Sequence, residues 1–271
     1  MGKTYRSGVV LSGGGVKGMA HLGALQALKE EGFEPEAFSG SSVGAVIGAF
    51  MAGGSKPDAI LEFFQENKTI FRWQNFSLTR PGIMNTERYE EMFEPWFEGK
   101  TFESLHHPLF ICATDILNGN FRLFSKGDLI PPILASVAVP GFFTPVEIEG
   151  DWYVDGGVMN NFPVEPLENK CETLLGIFVA PIRKFEKKEI SNSIRLWQRA
   201  SNLSFSAASL QKFDHCNCVI YPQSLWNYGL FDTGKLGEIY QLGYQFTRDH
   251  MDRILEALDS PSKGNLIEEE V

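Results

Sequence analysis

Three short stretches of the chain set chemistry-bearing residues among glycines. Gly40-Ser41-Ser42-Val43-Gly44 is a G-x-S-x-G pattern, which places a serine on a sharp turn from a strand into a helix. Such a turn brings close neighbours to the positions two before and two after the serine, where a Cβ would clash, and it pushes the Ser42 hydroxyl outward at a helix N-terminus. The dipole there favours an alkoxide or oxyanion. A serine still needs a base. Asp155-Gly156-Gly157, at the end of Trp152-Tyr153-Val154, offers one: an acid followed by two glycines at a strand end is held from one side and open from the other. The third stretch, "VVLSGGGVKG", contains Gly13-x-Gly15-x-x-Gly18. A strand leading through a glycine turn into a helix presents unpaired amide N–H groups to any anion.

Each stretch also has rival readings. Gly13, Gly15 and Gly18 have the spacing of a dinucleotide-binding turn, and Glu34 and Glu36 fall roughly where such a fold keeps its ribose-binding acid. A dinucleotide-dependent oxidoreductase is therefore a competitor, although it gives the serine elbow and Asp155 no work. Lys17 is followed by Gly18, which is not the Lys-Ser or Lys-Thr of a P-loop. Lipase-type hydrolases share the elbow and follow it with an acid and then a histidine, so His215 and His250 qualify on order alone. Against them, His215 leads into a strand, His250 sits in a long terminal helix, and the elbow arrives on only the second strand. Read without chemistry, the elbow is a Gly/Ser turn and Asp155 a turn aspartate. A catalytically silent lipid-binding protein would carry the same parts.

The elements that must position these residues follow from periodicity. Val9 to Leu11 reads as a strand, and Met19, Leu22, Leu25 and Leu28 as a helix stopped by Gly32. A short second strand ends at Phe38. Val43 to Ala52 is apolar or small on every face, the pattern of a buried helix. Ser55 is placed to cap the next helix, which would bury Ile60, Leu61, Phe63 and Phe64. From about 69 to 101 the aromatics are interleaved with charge, the character of a cap or lid; the same segment also suits a membrane contact or a subunit interface. Pro108 to Leu117 reads as a buried strand, and Asn118-Gly119 as a hairpin turn. A helix running toward Val139 is broken by Pro140-Gly141. A second hairpin ends at Asp155, strands follow over Leu174 to Val179 and Cys218 to Tyr221, and helices over Arg195 to Phe213 and Leu236 to Leu258. An acidic, frayed end is expected from Asp259 to Val271. Strands alternating with helices give an α/β domain with a mostly parallel sheet.

Composition narrows the function. The 271 residues are 43% hydrophobic and 21% charged, with a net charge of −10, which excludes nucleic acid as the main partner and disfavours anionic membrane surfaces. Peripheral contact with a membrane or micelle must then be apolar. No run approaches the roughly 20 apolar residues of a membrane span, no signal-peptide core is visible, and Arg6 stands where a myristoylation motif needs Ser or Thr. The expectation is a cytoplasmic protein with reduced thiols at Cys112, Cys171, Cys216 and Cys218. Alternation puts Cys216 and Cys218 on one strand face, and no second ligand cluster lies near them, so no metal is expected. His21 reads as structural. Lys17 serves either an anionic headgroup or local packing, and Phe142-Phe143 between Pro140 and Pro145 serve either an acyl pocket or the core.

In order, "SGGGVKG", "GSSVGA", "ASVAVPGFFTPV" and "DGGVMNNFPV" resemble the four signature blocks of the patatin-like phospholipase family, in its small-chain bacterial branch. The resemblance runs from about Gly8 to Pro163; beyond it only the strand and helix pattern fits. It implies a central, mostly parallel sheet sandwiched by helices in three layers. Ser42 would be the nucleophile and Asp155 its sole partner in a Ser-Asp dyad, with Gly13, Gly14 and Gly15 lining an oxyanion hole. Gly18, Gly40, Gly44, Gly156 and Gly157 would be the supporting motif positions. No metal or cofactor is implied, and the expected partner is a lipid or other ester. Asp155 would take the Ser42 proton as Oγ attacks the ester carbonyl, and each amide donor to the oxyanion is worth roughly 3 kcal/mol. One departure is "FEPEAFSG", shorter and more polar than the strand expected before the elbow.

Overall fold

The apolar run ending at Leu11 is strand β1 (Tyr5–Leu11), buried from Ser7 onward, in a computed structural model that describes residues 4–67, 87–182, 184–230 and 232–269. After a 3-10 turn over Gly15–Gly18 come α1 (Met19–Glu30), β2 (Ala37–Ser41), α2 (Val43–Ala52), α3 (Pro57–Glu66) and α4 (Glu87–Phe97). Next are β3 (Leu109–Asp115), β4 (Asn120–Phe124), α5 (Ile130–Val137), β5 (Val146–Ile148), β6 (Asp151–Asp155) and β7 (Cys171–Ile177). The last are α6 (Ser193–Leu210), β8 (Cys218–Ile220), α7 (Leu236–Asp249), α8 (Met251–Asp259) and β9 (Asn265–Ile267). One sheet holds these strands in the order β5-β6-β3-β2-β1-β7-β8-β9, with β4 paired to β3. The stretch from β3 to β9 is parallel, while β4 and β6 run antiparallel to β3.

Two registers decide where the chemistry lies. Along one edge of β3, β2 runs until Ser41 stands opposite Cys112, and on the next residue β6 begins from the other direction with Asp155 opposite Ala113. Because β4 occupies the other edge of β3 from Ile111 to Asp115, β2 and β6 abut end to end. The residue after β2 and the last residue of β6 are thereby brought together.

Alternation along the strands divides the interior. Val9, Leu11, Leu175, Ile177 and Ile220 face the larger core with α1, α2, α3, α5, α7 and α8. Val10, Leu174 and Val219 face the smaller one, where Phe162, Phe178 and Phe213 meet edge to face at 5.2–5.7 Å. Pairs of this kind contribute about 0.5–1.5 kcal/mol each beyond burial. Helix α2 is buried at every position but Met51, and Phe50 packs on Phe63 and Phe97 at 4.8 Å from each. Helices α1 and α7 approach through paired glycines: a Cβ on Gly23 would meet Tyr240 O at 2.1 Å, and one on Gly243 would meet Ala20 O at 2.3 Å.

Several expectations shift in detail. Strand β2 starts at Ala37 rather than ending at Phe38, so the polar stretch "FEPE" lies before the strand and the elbow's own Gly40 and Ser41 lie within it. Lys56, not Ser55, precedes α3, with Pro57 at its first position. The long terminal helix is divided at His250, whose Nδ1–H donates to Phe246 O (2.8 Å) while its backbone leaves helical geometry (φ −112°, ψ 14°). The end read as frayed contains β9, paired with β8 and burying Ile267. Of the expected cap, residues 68–86 lie outside the described residues; α4 sends Phe93 and Phe97 into the main core. The two nearby thiols face opposite ways, Cys216 into the smaller core and Cys218 into the larger. Alternation fails at Asn217, whose side chain Oδ1 takes the place of a strand partner by accepting from Leu174 N (2.9 Å).

Candidate active site

At the junction of β2 and α2, Ser42 adopts φ 54°, ψ −129°, a left-handed conformation that costs a non-glycine residue of order 1–3 kcal/mol. The turn is tight enough that both flanking glycines are obligatory. A Cβ on Gly40 would lie 2.4 Å from Gly44 O, and one on Gly44 would lie 2.3 Å from Leu11 O. The strain is held by a hydrogen bond from Ser42 N to Ser136 Oγ (2.9 Å), whose own hydroxyl donates to Cys112 O (2.6 Å). Sequence reasoning gives Ser136 no role, although the block "ASVAVPGFFTPV" contains it.

Ser42 Oγ donates to Asp155 Oδ2 at 2.6 Å, and Asp155 Oδ1 accepts from Gly157 N at 2.7 Å. The carboxylate is pinned through its backbone as well, with Asp155 N donating to Ala138 O (2.9 Å) and Thr114 Oγ1 donating to Asp155 O (3.0 Å). Gly156 is needed for contact, since a Cβ there would sit 2.3 Å from Cys112 O. Burial pushes the Asp155 carboxyl up to about 6, against the two hydrogen bonds from Ser42 and Gly157, which favour its ionised form.

The glycine loop faces the same point. A Cβ on Gly13 would come within 3.0 Å of Ser42 Cβ. The Gly13 N–H, however, is engaged by Asn161 O (3.2 Å), and Val16 N by Leu230 O (3.0 Å). The N–H groups of Gly14 and Gly15 have no partner among the described residues. Of the three expected anion donors, Gly13 thus serves as a close-approach position and the other two keep open amides. Gly15 has φ +60°, and a Cβ there would meet Leu230 O at 2.3 Å. Gly18 lies against Val43, which a Cβ would approach to 2.5 Å, so it lets the first turn of α2 press on the loop.

His21 is fully buried and its Nε2–H donates to Ser12 O (2.8 Å), the carbonyl just before Gly13. Burial pushes it down to about 4, so the ring is neutral at neutral pH. Lys17 is half-buried beside the loop and burial lowers it to about 8, opposed by the charge of Asp232. Phe143 is buried in the main core with Phe142 half-buried against it. His215 pairs with Glu168 ahead of β8, at the opposite end of the parallel strands from Ser42. His250 is stacked on Phe246. Neither histidine joins the site.

The dinucleotide reading fails on topology. Glu34 and Glu36 precede β2 and so stand at the strand N-termini, whereas the glycine loop follows the C-terminal end of β1. Glu36 is also taken by Arg6, through its Nε (2.6 Å) and its backbone N (2.9 Å). The position where a ribose-binding acid belongs, after β2, is Ser42 itself.

Comparison with known proteins identifies the family of the chain. The family described as Patatin-like phospholipase matches residues 9–168. An uncharacterised NTE family protein of Mycobacterium tuberculosis is 34% identical over 164 residues, covering 60% of this chain and 45% of that protein. Lysophospholipase NTE1 of Kluyveromyces lactis is 26% identical over 94% of this chain and 20% of its own length. The human patatin-like phospholipase domain-containing protein 6 is 25% identical over 96% of this chain and 21% of its own. The chain therefore spans less than half the length of these relatives. With the elbow, the acid turn and the glycine loop all inside the matched residues, the chain belongs to the patatin-like phospholipase family.

Proposed function

We propose that this chain is a serine lipid acyl hydrolase that cleaves carboxylic esters through a Ser42–Asp155 dyad. The observation that carries the reading is the 2.6 Å hydrogen bond from a serine held at φ 54° to a buried aspartate. A solvent-exposed aspartate has a pKa near ~3.9 and is a weak base for serine. Burial lifts Asp155 to about 6, nearer the operating pH where a general base works best.

Ser42 Oγ attacks the ester carbonyl while its proton passes to Asp155, and the carbonyl oxygen, now negative, accepts from the amides of Gly14 and Gly15. Collapse of the tetrahedral adduct breaks the ester C–O bond, and the departing alcohol takes the proton from Asp155. Water then attacks the acyl-enzyme, giving a proton to Asp155 that returns to Ser42 as the fatty acid leaves. Every proton removed is restored, and no step calls for a metal or cofactor.

Relatives named lysophospholipase make a lysophospholipid the first substrate to offer. The test is fatty acid release from lysophosphatidylcholine and from short-chain esters. Release that disappears in Ser42→Ala is expected; no release by the folded chain from any ester, or full activity in Ser42→Ala, would overturn the reading.

A further inference from the structure

Asn161 lies at the point where the acid turn and the glycine loop meet. Its backbone O accepts from Gly13 N (3.2 Å) and its Nδ2 donates back to Gly13 O (3.4 Å), a two-point clasp on a loop residue whose Cβ would lie 3.0 Å from Ser42 Cβ. The carboxamide fills the space between two glycines. A Cβ on Gly13 would meet Asn161 Oδ1 at 2.4 Å, and one on Gly157 would meet that same oxygen at 2.8 Å and Asp155 Oδ1 at 2.9 Å. A side chain at 13 or 157 would have to displace the Asn161 carboxamide. The adjoining Asn160 is anchored independently, through its N to Gly156 O (2.8 Å) and through its side chain to Lys212 Nζ (2.6 Å) and Glu165 (3.0 Å). The stretch bearing Asn161 is therefore rigid.

We propose that Asn161 is a positioning residue that locks the glycine loop to the Asp155 turn, fixing the separation between the anion-binding amides and the base. The proposal rests on the dyad reading. If the loop amides must meet a transition-state oxygen within hydrogen-bond distance, a drift of about 1 Å is costly to turnover and nearly invisible to substrate binding. Asn161→Ala loses the side-chain half of the clasp and lowers kcat at least about tenfold with KM little changed.

The Asp variant reads the same geometry electrostatically. Asn161 Oδ1 and Asp155 Oδ1 crowd one point beside Gly157, so Asn161→Asp sets a second carboxylate within about 6 Å of the base, close enough for like charges to raise its pKa. Among the described residues, the titratable and charged groups around Asp155 are few. On β3 the Cys112 thiol is pushed up by burial and is neutral, and behind it Lys212 and Glu165 balance each other. On the loop side Lys17 faces Asp232, and His21 is neutral. Activity requires ionised Asp155, so the acidic limb of kcat/KM moves upward by roughly one pH unit or more in Asn161→Asp.

The experiment measures kcat, KM and the pH profile of ester hydrolysis for the full chain and both variants, each normalised to fluorophosphonate-titrated sites. Lower kcat in Asn161→Ala together with the upward limb in Asn161→Asp supports the proposal. A purely structural Asn161 lowers the melting temperature but leaves kcat per titrated site and the pH midpoint at the parent values, and that result overturns it. Failure of the dyad reading shows differently, as absent Ser42-dependent hydrolysis in the parent chain.

Discussion

At the scale of single residues, the dyad reading makes one buried carboxyl govern both activity and stability. Asp155 is raised from 3.8 to about 6, so between those values the native state holds a proton that the unfolded chain has released. Stability from this group accordingly falls as pH rises from about 4 to 6, by at most about 3 kcal/mol, while activity rises over the upper part of the same window. Asp155→Asn removes both effects: turnover drops by about 10³-fold, and in thermal melts the variant gains on the parent as pH goes from 4 to 7. A parent and variant whose melting temperatures track in parallel would contradict the shifted carboxyl. Ser136→Ala has the opposite balance. It strands the Ser42 N–H and the Cys112 carbonyl, and is expected to lose about 1–3 kcal/mol by chemical denaturation along with part of the activity.

At the scale of elements, the site is the product of two strands ending against one edge of β3. That juxtaposition is not legible in the sequence. The residues at each strand end are, because Gly40, Gly44 and Gly156 record close backbone approaches in their identity: their Cβ atoms would meet main-chain oxygens at 2.3–2.4 Å. Hidden from sequence are interactions whose signal is long-range or carried by the main chain, such as Ser136 against the elbow, Leu230 O against Val16 N and Asn161 against Gly13. The limits of β2 are hard to read because Ser39 and Ser41 look exposed by type. Both are fully buried, and Ser39 Oγ donates to Pro163 O at 2.7 Å. The acidic end misleads because three residues of strand carry almost no periodic signal. Glycine substitutions test the element-scale reading. Gly40→Ala forces main-chain movement at the elbow and costs roughly 1–3 kcal/mol or more with loss of activity. Gly234→Ala, where nothing lies within 4 Å, leaves both near the parent value.

At the scale of the whole molecule, the parallel sheet gathers the ends of β1 and β2 on one edge, and antiparallel β6 delivers Asp155 to that edge from the far side. The matched residues stop at 168, by which point the elbow, the acid turn and the glycine loop have all been supplied. The later elements, β7 to β9 with α7 and α8, complete the sheet and bury α1. The charge of −10 acts on the molecule as a unit and opposes adsorption to anionic bilayers. Hydrolysis of short-chain lysophospholipids should therefore saturate below the micellar threshold. A sharp rise in rate above that threshold would show that an assembled lipid surface is the preferred substrate.

The central claim is a live nucleophile activated by Asp155, and covalent labelling with a fluorophosphonate, located by peptide mass spectrometry, tests it most directly. One adduct is expected on Ser42, absent in Ser42→Ala and formed at least about 100-fold more slowly in Asp155→Asn. A folded chain that takes no adduct at Ser42, or an Asp155→Asn variant labelled at the parent rate, would contradict it.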